Sequence, residues 1–204
     1  MARGDFIGGS ESLANAQGVD IRPPEGETWL ITGWGATTTT NMLLSLTDGT
    51  LLATMRGLGI AGSYRFKQLA LFVTHDLYAR ITNGSGSTQT VSWTGVVWKE
   101  AGTPPGPGDG VGAIQDDVDI GAVLTVTPPA GQMWLITDYG STLSANGEPN
   151  LVLRLYGAYL VGSTTVSSAA HQEQRRLLIT EDLPLELESR TNNNVIGVCG
   201  VRVK

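Results

Sequence analysis

The stretch Pro23 to Gly35, PPEGETWLITGWG, returns 105 residues later as PPAGQMWLITDYG, Pro128 to Gly140. From Ile21/Val126 to Gly35/Gly140, eight of fifteen positions are identical: two Pro, two Gly, and Trp, Leu, Ile and Thr. The register drifts in the middle, where FVTHDLYARITN (Phe72 to Asn83) answers LITEDLPLELESRTN (Leu178 to Asn192). It returns to 105 at the end, where TVSWTGVVWK (Thr90 to Lys99) lies over VIGVCGVRVK (Val195 to Lys204). Insertions between strands fall in loops, which tolerate them. A chain of 204 residues that repeats itself in this way is restricted to two similar units.

Between the copies lies EAGTPPGPGDGVGA, Glu100 to Ala113. Pro and Gly at this density continue neither a helix nor a central strand, so the segment reads as a linker. The expected organisation is a flexible N-terminal arm at residues 1–10, a first domain at 11–99, a linker at 100–115 and a second domain at 116–204.

Inside each copy the dominant period is two. DLPLELESR alternates Leu183, Leu185 and Leu187 against Pro184, Glu186 and Glu188, the pattern of a strand with one wet face. NLVLRLYG places Leu151, Leu153 and Leu155 on one face; KQLALFV places Leu69, Leu71 and Val73 opposite Ala70 and Phe72. Such runs recur about every 8–12 residues with turn residues between them, the spacing of antiparallel sandwiches and barrels. TDGT (Thr47 to Thr50) and TNGSGS (Thr82 to Ser87) are the clearest turns. The fold class expected is all-β: two tandem, homologous antiparallel β-sandwich domains, jelly-roll-like, from an internal duplication. In the repeated phrase the prolines impose an extended approach, Gly26 or Gly131 allows a tight turn, and Trp29 or Trp134 begins a core strand. Trp34 and Tyr139, five residues on, are the expected surface contacts.

The net charge of −6 and pI near 4.8 argue against nucleic-acid binding, which needs clustered Lys and Arg. The single cysteine, Cys199, forms no internal disulfide and reads as a small core residue. MARGDFIGGSES contains no apolar signal core, and no run approaches the roughly 20 apolar residues of a membrane span, so a soluble protein without a standard secretion signal is expected.

No motif builds a reaction centre. GLGIAG (Gly57 to Gly62) matches a dinucleotide fingerprint by letter, but the following SYRFKQLALFV reads as strand where a helix is required. DDVDIG (Asp116 to Gly121) lacks the alternating ligands and closing acid of a calcium loop. His75 and His171 occupy non-matching positions without partners at meaningful spacing. Asp76 in THDL and Asp182 in TEDL match each other and read as turn caps. The RGD at Arg3 to Asp5 is too short to carry adhesion, but the arm around it holds Phe6 and Ile7, which can lie across a neighbour. No enzyme, cofactor or metal is expected.

A β-sandwich with a PPxGxxWLIT corner, a TxDL corner and a closing strand ending in G-V-x-W/V-K resembles tailed-bacteriophage capsid decoration (cement or auxiliary) proteins. The resemblance rests on Pro23, Pro24, Gly26, Trp29 and Gly95, and on Pro128, Pro129, Gly131, Trp134 and Gly200. It implies a non-enzymatic virion protein, made in the host cytoplasm, that binds the major capsid lattice on its outer surface. It also implies a homo-oligomer, a trimer in the simplest case, and no nucleic-acid or membrane partner. The alternative is a glycan- or receptor-binding module of a phage tail or secreted protein, using Trp34, Trp93, Trp98 or Tyr139 as stacking surfaces.

Overall fold

The computed structural model describes residues 1–37, 41–58, 67–141, 151–155, 158–162, 176–190 and 192–204. Within them every regular element is a β-strand and every pairing is antiparallel. The first half carries β1 (Phe6–Leu13), β2 (Gly18–Ile21), β3 (Thr28–Ala36), β4 (Met42–Thr47), β5 (Leu52–Leu58), β6 (Lys67–Val73), β7 (Tyr78–Asn83) and β8 (Gln89–Lys99). The second half carries β9 (Gly110–Val118), β10 (Val123–Val126), β11 (Met133–Ser141), β12 (Leu151–Leu155), β13 (Ala158–Gly162), β14 (Leu177–Thr180), β15 (Leu185–Ser189) and β16 (Asn194–Arg202).

The first half places the row β1-β8-β3-β6 and the row β2-β7-β4-β5 around one apolar cluster that includes Ile7, Trp29, Ile31, Leu44, Leu71 and Ile81. In the second half β9-β16-β11-β14 and β10-β15-β12-β13 repeat those orders strand for strand, around Ile136, Leu151, Ile179, Leu187 and Val198. The alternation read from the sequence holds for Leu185 and Leu187, which are buried, and for Glu186 between them, which is not; Glu188, read as lying on the wet face, is instead buried and paired with Arg154 and Arg190.

The repeated phrase forms the same corner twice. Glu27 N–H donates to the Pro24 carbonyl at 3.1 Å and Gln132 N–H to the Pro129 carbonyl at 2.9 Å. Gly26 (φ 79°) and Gly131 (φ 75°) hold the third turn position, which requires positive φ. The residue closing each turn then accepts from the indole two places on: Trp29 Nε1 to Glu27 Oε2 at 2.7 Å, Trp134 Nε1 to Gln132 Oε1 at 3.0 Å. In TDGT, Asp48 Oδ1 accepts from Thr50 and Leu51 N–H at 2.9 Å each, and these donors hold its carboxyl below the usual range. In THDL it is Thr74, not Asp76, that caps: its Oγ1 accepts from Leu77 N–H at 3.1 Å.

Two expectations change here. Residues 1–10 are not a free arm, because β1 pairs with β8 from Phe6 onward. Nor is the linker a loose tether running to residue 115: β9 begins at Gly110, and Lys99 Nζ, buried, binds the Pro104 carbonyl and the Asp109 carboxylate. The two segments are in fact equivalent lead-ins. Gly4 N–H bonds the Val97 carbonyl and Val97 N–H the Asp5 carbonyl, as Gly108 and Asp109 do with Arg202.

The halves are also packed together. Thr54 of β5 bridges Ser141 of β11, joining β2-β7-β4-β5 to β11-β16-β9 in one sheet, and β6 packs across β9, β16 and β11. Cys199 of β16 belongs to the first half's cluster. Glycines let the halves approach: a Cβ on Gly112 would lie 2.5 Å from Leu77 Cδ2, and one on Gly197 2.7 Å from Ala53 Cβ.

One position separates the two β1-β2-type turns. Ala16 has φ 65°, whereas its counterpart is Gly121, with φ 82°. An L-residue in this region is strained, and Gly relieves that at some cost in chain entropy. Ala16→Gly is expected to stabilise the protein by about 0.5 kcal/mol, read as a rise of roughly 1–2 °C in the thermal midpoint.

Candidate interaction surface

Among the described residues no group of three or more His, Cys, Asp or Glu side chains is placed to hold a metal. His75 is tied into structure: Arg22 Nε donates to its carbonyl at 2.7 Å, Arg22 Nη2 lies 3.2 Å from its Nε2, and its Nδ1 lies 3.1 Å from the Pro23 carbonyl. A neutral ring protonated on Nδ1 satisfies both ring contacts. The DDVDIG segment holds a bulge: Asn194 pairs with Val118 and Ile196 with Gln115, so Asp116 and Asp117 face one residue. His171 and the part of GLGIAG from Gly59 onward lie outside the described residues.

The expected contact residues divide sharply. Phe6 is 74% exposed, while Ile7, on the opposite face of β1, is buried in the first cluster. Trp34 is fully buried and Tyr139 is buried too, each in its own half's cluster, which corrects the expectation that they are surface contacts. The cause is a bulge present in both halves. Ile31 pairs with Gly95 but Gly33 with Thr94; Ile136 pairs with Gly200 but Asp138 with Cys199. Thr32 and Thr137 are therefore extra residues, and they shift the alternation so that Trp34 and Tyr139 turn inward. The only advance sign was a glycine facing each bulge.

The other aromatics are occupied as well. Trp93 stacks on Trp29 with centroids 6.1 Å apart, and Trp98 meets the edge of Phe72 at 5.2 Å with the Arg3 guanidinium 5.6 Å from its ring centre. Trp134 is half-buried against the second cluster.

What lies open is an apolar row across the outer face of β1-β8-β3-β6. Phe6 pairs with Val96, Val96 with Leu30 and Leu30 with Phe72, so the four side chains share one side of the sheet. Val96 and Leu30 are half-exposed and Phe72 is 6% exposed. The corresponding row in the second half is Gly110, Val201, Leu135 and Leu178. There the gradient is reversed: Val201 is 3% exposed and Leu178 51%. Sequence reasoning found Phe6 and missed Val96, Leu30 and Leu178, because alternation alone does not say which outer face another unit covers.

No family model matches the chain, and no curated protein matches its sequence. Among solved structures, the major capsid protein P2 from bacteriophage PM2 is similar at 11% identity and a TM-score of 0.31, over 97% of each chain. A likeness of that size shows neither a shared fold nor a shared role.

Proposed function

We propose that the chain is a non-enzymatic structural protein of a virus particle, built as two tandem jelly rolls from one internal duplication. The observation that carries this is the strand order. Eight strands arranged as 1-8-3-6 over 2-7-4-5 make a jelly roll, an architecture used by viral capsid and lectin domains, and both halves have that order. The link from fold to role is analogy and needs the surface to decide between those uses. The surface favours docking to protein: Trp34 and Tyr139 are inside, Trp93 and Trp98 are occupied by neighbours, and the open apolar residues Phe6, Val96 and Leu30 lie on the face of a β-sheet.

In this reading the protein sits on the outer capsid surface and bridges junctions of the major capsid lattice. It assembles there as a homo-oligomer, a trimer in the simplest arrangement. Binding energy added across subunit boundaries stabilises the assembled shell by mass action.

Immunogold imaging of intact particles that contain the chain tests the proposal. Label spread over the shell is the expected result. Label confined to a tail tip, or retention of the purified protein on polysaccharide columns with no affinity for shells, overturns it in favour of the glycan- or receptor-binding alternative.

A further inference from the structure

The two halves finish the same strand edge in opposite ways. β1 ends the row β1-β8-β3-β6, and β9 holds the same place beside β16 in the second half. Natural sheets blunt exposed edges with bulges, Pro, Lys, very short strands or a covering element, because an open row of N–H and C=O groups is a template for another strand. β9 is blunted: its ladder breaks at the bulge where Asp116 and Asp117 face one residue, and Asp117 has φ 55°. β2, β10 and β14 have four residues each and β13 five. β6, at the other end of the first row, lies against the second half. β1 has none of these devices. Its eight residues, FIGGSESL, pair with β8 without a register shift and include neither Pro nor Lys.

The backbone groups that β1 leaves over follow from its register. Val97 N–H donates to the Asp5 carbonyl, so Asp5 turns its backbone to β8. By antiparallel alternation Ile7, Gly9, Glu11 and Leu13 do the same, while Phe6, Gly8, Ser10 and Ser12 turn theirs to the open edge. These last four are exposed and share the outer side of the sheet. One is bulky and three are small: Phe6 is 74% exposed, and its ring lies over Gly8, where an added Cβ would be 3.3 Å from it.

We infer that β1 of a second copy pairs with this edge, antiparallel about a two-fold axis at Gly9. Gly8 then lies opposite Ser10 of the second copy and Phe6 opposite its Ser12, and each pair exchanges two backbone hydrogen bonds. The strand is self-complementary in this direction, since the one bulky outer side chain of each copy meets a serine of the other. An in-register parallel pairing would set Phe6 against Phe6. The two Glu11 carboxylates come to lie four residues apart along the seam, about 13 Å, which is beyond a Debye length at physiological salt. Centring the pair on Ser10 would bring them to about half that separation along the seam. Each copy has one such edge, so the contact uses the same patch on both and closes on itself.

The inference rests on this edge and not on the capsid role, and it is measured without shells, so its failure and the failure of shell binding are separate results. Light scattering of wild type at about 100 μM, a range that captures even weak association, should give an even multiple of the 21.5 kDa chain mass. Ser10→Pro removes an N–H that β8 does not use, so it should halve that mass and leave the thermal midpoint unchanged. Position 10 lies diagonally across the axis from its own copy, so Ser10→Lys and Ser10→Glu should each halve the mass as well, and their equimolar mixture should restore it. These two variants replace Ser10→Pro if its midpoint falls. A wild type that is monomeric or an odd multiple of the chain mass, a folded Ser10→Pro at the wild-type mass, or a mixture that stays at half mass overturns the assignment.

Discussion

Gly200→Ala is expected to lower the thermal midpoint by roughly 6–12 °C, equivalent to about 3 kcal/mol in a chain of this size. A Cβ at Gly200 would overlap the Leu135 carbonyl oxygen and lie 2.8 Å from Ile136 Cα. Both are backbone atoms of the neighbouring strand, so no side-chain rotation relieves the clash; β11 and β16 must separate beside the bulge. Their ladder lies between the second cluster and the first half, so the shift is felt on both faces. Gly95 is the same site in the first half, where the added carbon would lie 2.5 Å from the Leu30 carbonyl and 3.1 Å from Ile31 Cα. Gly95→Ala should cost less, about 2 kcal/mol, with Gly200→Ala the worse of the two. Differential scanning calorimetry gives both numbers, and a Gly200→Ala midpoint close to wild type would show that the strands do not approach as described.

The second large effect is expected at Asn83, which is completely buried. Its Nδ2 donates to the carbonyls of Leu13 (2.9 Å), Ala14 (3.2 Å) and Ser87 (2.8 Å), and its Oδ1 accepts from Ser85 N–H at 2.9 Å. One side chain thus ties the β1-β2 turn to the β7-β8 turn. Asn83→Ala leaves those carbonyls without their donor and opens a cavity, a loss of about 2–4 kcal/mol. Asn83→Asp should be worse despite its matching shape, because it sets a carboxylate against three carbonyl oxygens in a buried site. Urea denaturation should rank wild type above Asn83→Ala above Asn83→Asp. Asn83→Asp as stable as wild type would refute the donor role.

The strands and their inward sides were largely legible, because a period of two is a local signal. Leu185, Leu187 and Trp29 are buried as alternation requires. The corner was legible for a related reason: Gly26 and Gly131 hold turn positions that need positive φ. Trp34 and Tyr139 were not, because a single bulged threonine reverses the count and its cause lies across the sheet at Gly95 and Gly200. The lead-in segments looked free because Gly and Pro lack strand propensity, yet their backbone bonds to Val97 and Arg202 come from strands far along the chain. The half-to-half contact was illegible for the same reason, since it depends on which outer faces meet.

Cys199 extends that point from space into time. It completes the first half's cluster from β16, a strand translated after the whole of the first half. A ribosome that has released residues 1–99 has therefore released a first half whose interior is unfinished, with the β5 and β6 edges uncovered. Folding of the two halves is coupled through β16, and the nascent first half is the species that a chaperone would have to shelter.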